Sequence, residues 1–281
     1  MKLPGGWSPP ARALRLIATS GARALGRPGL GHILPDFLLI GAMKAGTSFV
    51  FASLAAHPHI IRSRRREIHF FGSRFSRGVP WYRTHFPTGL EMRRYQAITG
   101  EGSTSYLANP DSPARIRSVL PEVKMIALLR DPVDRAISNY FHEQRTGRET
   151  LPIAEAFRAE ESRRVEMGLG HLSYRTRGLY AEQLERYYTL FPREQILVLR
   201  SETLFAEPAK VMAQVCRFIG VDSALDTREY EPRNVGGYDP AKVPVEVYEA
   251  LTAFYAPHNE RLYSLLGRDM KWRPHALSPS P

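Results

Sequence analysis

The sequence predicts a single-domain α/β protein in which helices flank a parallel sheet. Short apolar runs with the length of buried strands alternate with helical patterns along the chain. We expect strands at residues 37–40, 125–129 and 195–200, each followed by a helix. This alternation favours parallel strands joined by helical crossovers, and such sheets bind their ligands at the carboxyl ends of the strands.

The composition is that of a globular protein with a basic surplus. Of the 281 residues, 43% are hydrophobic and 24% are charged, which argues against a disordered chain. The net charge of +11 favours anionic ligands such as nucleotides, acidic glycans, nucleic acid or lipid headgroups. Cys216 is the single cysteine, so an internal disulfide is excluded. We expect Cys216 to be a small core residue and the protein to be cytoplasmic.

Residues 1–35 form a basic leader without a single Asp or Glu. We expect this leader to be loosely ordered. The alternative is that residues 11–25 form a basic helix that makes weak contact with an anionic membrane surface, which would make the protein peripheral to the membrane. The folded domain is expected to span residues 36–273, followed by a tail at 274–281.

The most informative stretch is DFLLIGAMKAGTS at residues 36–48, where a strand runs through a glycine-bounded turn into an apolar helix. Free backbone N–H groups and the helix dipole make such a turn an anion cradle. Lys44 lies inside the cradle. A Walker A loop would place its Lys directly after Gly46, but Thr47 stands there. The loop alone therefore predicts phosphate binding without naming the ligand.

An arginine-rich segment with interleaved aromatic residues follows at residues 62–94. It contains the carboxylate of Glu67, and His69 follows two positions later. Residues two apart in an extended chain face the same side, so we expect Glu67 and His69 to point together. The surrounding arginines favour an ionised carboxylate.

A second informative stretch is RDPVDRAIS at residues 130–138. Arg130 follows a predicted buried strand, at the sheet edge where ligands bind. Asp131 and Pro132 are typical of a helix cap and first turn, and the helix should run to about residue 144. Ser138 lies two helical turns beyond Arg130.

Three further elements complete the prediction. We expect residues 148–180 to form a lid or insertion, a helix at 207–220 to end at Gly220, and a helix at 243–266 to be interrupted at Pro257.

These motifs, in this order, resemble those of sulfotransferases that use 3′-phosphoadenosine-5′-phosphosulfate (PAPS). GAMKAGTS at 41–48 resembles their 5′-phosphosulfate loop, and RDPVDRAIS at 130–138 resembles their 3′-phosphate site. REIHFF at 66–71 is similar to the catalytic segment of heparan sulfate glucosaminyl sulfotransferases. The resemblance covers roughly residues 36–273.

The resemblance implies a P-loop-like fold that transfers a sulfuryl group from PAPS, without a metal, to a hydroxyl or amine of a carbohydrate or glycolipid. Glu67 would be the catalytic base, with His69 orienting it or serving as the alternative base. Lys44 would neutralise charge on the leaving group. Donor binding is expected from Lys44, Ala45, Gly46, Thr47, Ser48, Arg130 and Ser138, with Arg233 and Asn234 as weaker candidates.

Two differences from the glycosaminoglycan enzymes favour a bacterial-type relative with another hydroxyl acceptor. Gly102 stands where those enzymes carry a Lys, and a single cysteine cannot form their disulfide. A P-loop small-molecule kinase is the alternative, although its Walker A Lys and a clear Mg²⁺ carboxylate are missing. An RNA-binding module would explain the basic charge but not the paired phosphate motifs, so we expect no nucleic-acid partner.

Overall fold

The computed structural model describes residues 31–168, 170–222 and 239–272. Within these ranges the chain forms a five-stranded sheet with the order β2-β3-β1-β4-β5, and every neighbouring pair is parallel. The strands are β1 (Phe37–Gly41), β2 (Ile60–Arg62), β3 (Ile98–Gly102), β4 (Lys124–Leu129) and β5 (Ile196–Arg200). The predicted parallel α/β sheet is confirmed.

Helices connect the strands and cover the sheet. They are α1 (Thr47–Ala55), α2 (Gly78–Arg83), α3 (Gly89–Tyr95), α4 (Ser112–Val119), α5 (Pro132–Arg145), α6 (Ile153–Arg158), α7 (Glu160–Met167), α8 (Tyr180–Tyr188), α9 (Ser201–Ala206), α10 (Pro208–Ile219) and α11 (Val245–Leu266). The helices α2, α3 and α4 lie where the sequence pattern predicted no regular element.

The central strand β1 places the site. All five of its residues are buried, as its apolar sequence predicts. The chain leaves β1 towards β2 and β3 on one side of the sheet and returns to β4 on the other. The carboxyl ends of β1 and β4 therefore border the crevice where open α/β sheets bind ligands. The main-chain N–H of Ala42 donates to the carbonyl of Leu128 at 2.7 Å, which extends this pairing past the end of β1.

Two predicted helix boundaries are confirmed, and one predicted helix interruption is wrong. The carboxylate of Asp131 caps α5 by accepting from the N–H of Val133 at 2.8 Å. Helix α10 ends at Gly220, which has a φ of 89°. The expected interruption at Pro257 is wrong, because α11 runs through this residue. Buried Leu251, Tyr255 and Leu262 hold the helix in place around the hydrogen bond that Pro257 cannot donate.

Two hydrophobic clusters stabilise the described chain. The larger one surrounds the sheet and includes Cys216, whose thiol pKa is raised to about 11 by burial. The smaller one joins α5, α6 and α11 around Tyr140, Tyr174 and Tyr255. The region predicted as a lid or insertion is therefore an insertion that packs against α5 and α11.

Several sequence predictions lie outside the described residues. These are the leader up to residue 30, including its 11–25 segment, and the tail at 274–281. In the described ranges, no helix is long and apolar enough to cross a membrane. The proposed domain boundaries stay a prediction.

A glycine in β3 makes room for a ring in β1, which gives a test of the sheet. A Cβ at Gly100 would lie 2.4 Å from the ring of Phe37, its partner across the sheet. We expect Gly100→Ala to lower the free energy of unfolding by about 1–3 kcal/mol in urea titrations, because this core position has no room for a methyl group. Gly170→Ala is the matched control, since a Cβ there meets nothing within 4 Å. Equal stability of the two variants would contradict this packing.

Candidate active site

The loop between β1 and α1 is an open cradle. Gly46 directly precedes α1 with a φ of 91°, and Lys44 adopts a φ of 70°. A Cβ on Gly46 would lie 3.0 Å from the ring of Phe205, so the site requires a glycine. The hydroxyl of Ser201 donates to the carbonyl of Ala45 at 2.7 Å and ties the loop to the end of β5. The first turn of a helix leaves backbone N–H groups available to an anion. In α1 this turn directly follows the loop.

Positive charge accumulates around Lys44. Burial lowers the pKa of Lys44, and the charges of Arg145 and Arg130 lower it further. Arg130 donates to the carbonyl of Lys44 at 3.4 Å, so the two predicted phosphate motifs meet in space. The carboxylate of Asp134 lies 3.9 Å from Arg130 and partly compensates this positive charge. Cations that repel one another in a half-buried crevice favour an anionic ligand.

Helix α5 carries Ser138, whose side chain is buried. The helix starts at Pro132, two residues after Arg130, which directly follows β4. Arg130 also has its carbonyl oxygen bound by the hydroxyl of Tyr180 at 3.0 Å. A second anion position at Arg130 and Ser138 stays a prediction.

Glu67 and His69 lie together, although the segment between them is not a strand. Nε2 of His69 is 3.6 Å from Oε2 of Glu67. His69 has a φ of 57°, so the pair does not meet through the side-by-side geometry of an extended chain. Burial lowers the pKa of His69, and the charge of Glu67 opposes this effect. The lowered pKa favours the neutral imidazole.

Arg66 connects this pair to the cradle. One guanidinium nitrogen donates to the hydroxyl of Ser48 at 3.1 Å, and another lies 4.0 Å from Oε1 of Glu67. The guanidinium carbon lies 5.6 Å from the centre of the Phe51 ring, which holds the side chain against α1. The cradle and the Glu67–His69 pair are therefore parts of one site.

Three consecutive hydroxyl residues hold the acid–base pair, and we refer to Ser103, Thr104 and Ser105 as the hydroxyl triplet. Ser103 accepts from the main-chain N–H of His69 at 3.0 Å. Thr104 donates its main-chain N–H and its hydroxyl to the Glu67 carboxylate, each at 3.0 Å. The hydroxyl of Ser105 is 3.0 Å from Nδ1 of His69.

A buried carboxylate lies beneath the triplet. Glu101 is fully buried and accepts hydrogen bonds from Tyr82 and Tyr106 at 2.8 Å and from Ser103 at 2.9 Å. Burial raises its pKa to about 7, against the opposing effect of these hydroxyl donors. The interior next to the site therefore contains a group that exchanges a proton near neutral pH.

Sequence reasoning missed the hydroxyl triplet and the loop contact of Ser201. The sequence contained a signal for the triplet, because three hydroxyl residues directly follow β3 at the carboxyl edge of the sheet. Open α/β sheets bind their ligands at this edge. Arg233 and Asn234, the weaker donor candidates, lie outside the described residues. The described ranges hold no group of three or more His, Cys, Asp or Glu side chains that could bind a metal. Metal independence stays a prediction.

Comparison with known proteins identifies the class of this fold and site. A family model of the sulfotransferase domain matches residues 34–232, and the chain therefore belongs to the sulfotransferase family. The predicted PAPS-dependent enzyme class is confirmed, and the kinase alternative is not favoured.

Individual relatives agree with this assignment. The chain is 32% identical to heparan sulfate glucosamine 3-O-sulfotransferase 6 of Mus musculus, across 96% of this chain and 82% of the relative. It is 28% identical to the membrane-associated sulfotransferase kil1 of Dictyostelium discoideum, across 85% of this chain and 67% of kil1. The crystal structure of a sulfotransferase from Alicyclobacillus acidocaldarius matches with a TM-score of 0.67 and 33% identity, covering 84% of this chain and 97% of that one.

The buried carboxyl group predicts a pH-dependent stability. Between pH 4.5, the ordinary value for Glu, and about 7, the native state holds a proton at Glu101 that the unfolded chain releases. Stability should therefore fall as pH rises through this window, by up to about 3 kcal/mol at about 1.36 kcal/mol per pKa unit. We expect urea unfolding at pH 5 and pH 8 to show this loss for the wild type and a smaller one for Glu101→Gln. The same pH dependence in both proteins would contradict the assignment.

Proposed function

We propose that this protein transfers the sulfuryl group of PAPS to a hydroxyl group of a carbohydrate, with Glu67 as the catalytic base. The observation that carries this proposal is the contact of Arg66 with both Ser48 and Glu67, because it joins the anion cradle to an acid–base pair. A phosphate site without such a pair would bind a nucleotide and perform no transfer.

The donor site is assigned from the cradle. Lys44 and the turn formed by Ala45, Gly46, Thr47 and Ser48 would hold the 5′-phosphosulfate, and Arg130 with Ser138 would hold the 3′-phosphate. Bound PAPS supplies the sulfuryl group and a leaving phosphate. Lys44 is half-buried, so its charge would act on the growing negative charge of that phosphate in a poorly solvated setting. Arg233 and Asn234 stay weaker candidates for the same nucleotide.

The base is assigned to Glu67 on the basis of its hydrogen bonds. Two donors from Thr104 hold its carboxylate and fix its orientation. His69 has a lowered pKa and is held at Nδ1 by Ser105. We therefore assign His69 to orienting Glu67, with the role of alternative base left to the variant test below.

The acceptor is inferred to be an anionic carbohydrate. Burial lowers the pKa of His85, and the charges of Arg65, Arg74 and Arg64 lower it further, so these arginines lie around His85. The charges of Arg74 and Arg65 also reach His69. An acidic glycan matches this group of positive charges. Several relatives are named heparan sulfate glucosamine 3-O-sulfotransferases, which supports a glycan acceptor here.

The cellular position is inferred to be peripheral to a membrane. The basic segment at residues 11–25 could bind anionic lipid headgroups, and one relative is named as membrane-associated. A small-molecule or glycan acceptor, and no nucleic acid, completes the proposed set of partners.

A thermal-shift titration tests the donor. We expect PAPS, or its product 3′-phosphoadenosine-5′-phosphate (PAP), to raise the Tm more than ATP with Mg²⁺ does, because Arg130 and Ser138 would bind a 3′-phosphate that ATP lacks. Arg130→Ala should remove most of the PAP shift, since losing a charged hydrogen-bond partner costs ~1.5–3 kcal/mol. Arg217→Ala, an exposed position on α10, is the matched control. An equal or stronger shift with ATP and Mg²⁺ would reject the donor assignment.

Two substitutions test the base. Glu67→Gln keeps the shape of the side chain but removes its basic carboxylate, so kcat should fall by ~10²–10⁴. The PAP thermal shift should stay unchanged. His69→Asn should cost less. The measurement is sulfuryl transfer from labelled PAPS to chemically desulfated heparin. If Glu67→Gln keeps near wild-type turnover while His69→Asn is inactive, the two roles are reversed.

A further inference from the structure

The hydroxyl triplet binds three different groups of the Glu67–His69 segment. Ser103 holds the main-chain N–H of His69, Thr104 holds the carboxylate of Glu67, and Ser105 holds the imidazole of His69. Each of these contacts spans 34 to 37 positions of sequence. Such a set of contacts determines where both side chains point, independently of the segment's own backbone preference.

The segment requires this support because His69 lies in the left-handed region, with a φ of 57°. A residue with a Cβ is uncommon there and needs surrounding structure to hold it. Ser103 supplies that structure by accepting from the N–H of His69 while donating to Glu101. Glu101 is held in turn by Tyr82 and Tyr106. A chain of hydrogen bonds therefore connects the main chain of His69 with the buried tyrosines of the core.

Glu67 and Ser105 together determine the proton position on the imidazole. Nε2 of His69 faces Oε2 of Glu67, and two acceptors facing each other would repel. The favourable arrangement has a proton on Nε2 and a lone pair on Nδ1, which then accepts the hydroxyl hydrogen of Ser105. With Ser105 in this role, neither ring nitrogen is free to take a proton from an acceptor.

We propose that the hydroxyl triplet is the positioning element of this site, in which Thr104 orients the Glu67 carboxylate and Ser105 fixes His69 as the Nε2–H tautomer. This proposal rests on the proposed function for its catalytic meaning. These residues do not touch the reacting atoms themselves. They direct the one remaining basic group, the Glu67 carboxylate, towards the site.

Several charged groups interact electrostatically with Glu67 and His69. Arg66 lies beside Glu67, and the charge of Glu67 also acts on Arg177 and on the buried Glu101. His69 is subject to the charges of Glu67, Arg74, His171 and Arg65. Because these groups are the same in the variants below, a difference between variants reports the lost hydroxyl.

Nuclear magnetic resonance on the full chain tests the tautomer without any acceptor. In ¹⁵N-labelled protein, the ring nitrogens of His69, assigned by their loss in His69→Asn, should show the pattern of the Nε2–H tautomer. Ser105→Ala should shift them towards a mixture of tautomers. Thr99→Val is the matched control, because the Thr99 hydroxyl on β3 donates to the carbonyl of Ile61, away from the pair. An Nδ1–H tautomer in the wild type, or no change in Ser105→Ala, would overturn the proposal.

The role of Thr104 is tested by the carboxyl ¹³C resonance of Glu67 at neutral pH. Thr104→Val keeps the shape and removes one hydrogen-bond donor to the carboxylate, so this resonance should shift. Thr104→Ser should restore the wild-type resonance, and Thr99→Val should leave it unchanged. A resonance that does not move in Thr104→Val would overturn this part.

Turnover separates this proposal from the proposed function. In transfer from labelled PAPS to desulfated heparin, Thr104→Val should lower kcat by about 3–30-fold, with KM for PAPS unchanged. Absence of transfer in the wild type, together with the expected resonance shifts, would count against the proposed function and leave the positioning element supported. Normal kcat with shifted resonances would show that the orientation has no catalytic meaning and would overturn the proposal.

Discussion

The pairing of β1 with β4 is the interaction on which the rest of the site depends. It sets the carboxyl ends of two non-consecutive strands side by side, and each strand continues into a loop with a cation. Lys44 and Arg130 are 86 positions apart in sequence, yet Arg130 donates to the carbonyl of Lys44. Bringing these charges together costs electrostatic energy. The apolar burial of β1 and β4 at the centre of the sheet offsets that cost.

Buried carboxylates organise the parts of the chain that the sheet does not reach. Glu149 accepts from two guanidinium nitrogens of Arg163 and from the hydroxyl of Tyr174. Glu160 accepts from the main-chain N–H groups of Arg175 and Thr176. A buried charge is tolerated when its hydrogen bonds are satisfied, and removing one partner leaves the other uncompensated. These acids therefore hold the segments of the insertion to one another in a single arrangement, since few other arrangements would satisfy them.

The sequence was sufficient for the features that depend on local chemistry. Apolar runs predicted three of the five strands closely, and the cap and proline at Asp131 and Pro132 predicted the start of α5. The loop motif predicted that Lys44 lies in the turn between β1 and α1, because strand, turn and helix follow one another directly. Proximity of Glu67 and His69 was expected as well, but from an extended geometry that His69 does not adopt.

The features that escaped prediction depend on contacts between distant segments. Contacts of Ser103, Thr104 and Ser105 with residues 67–69 join loops whose relative position follows from the packing of the whole sheet. Pro257 was expected to interrupt a helix, but buried side chains on both sides of it outweigh one missing hydrogen bond. Local propensity is a weak guide wherever tertiary contacts are this strong.

The titration of Glu101 near neutral pH has a consequence for enzymology. This carboxyl group is sealed from solvent, yet one hydroxyl separates it from the main chain of His69. Its change of charge alters the electric field at the site without any contact with a substrate. A pH dependence of the rate near pH 7 can therefore arise from a carboxyl group that never contacts the substrate. Following that carboxyl group itself, for example by its infrared absorption, alongside the rate tests this origin.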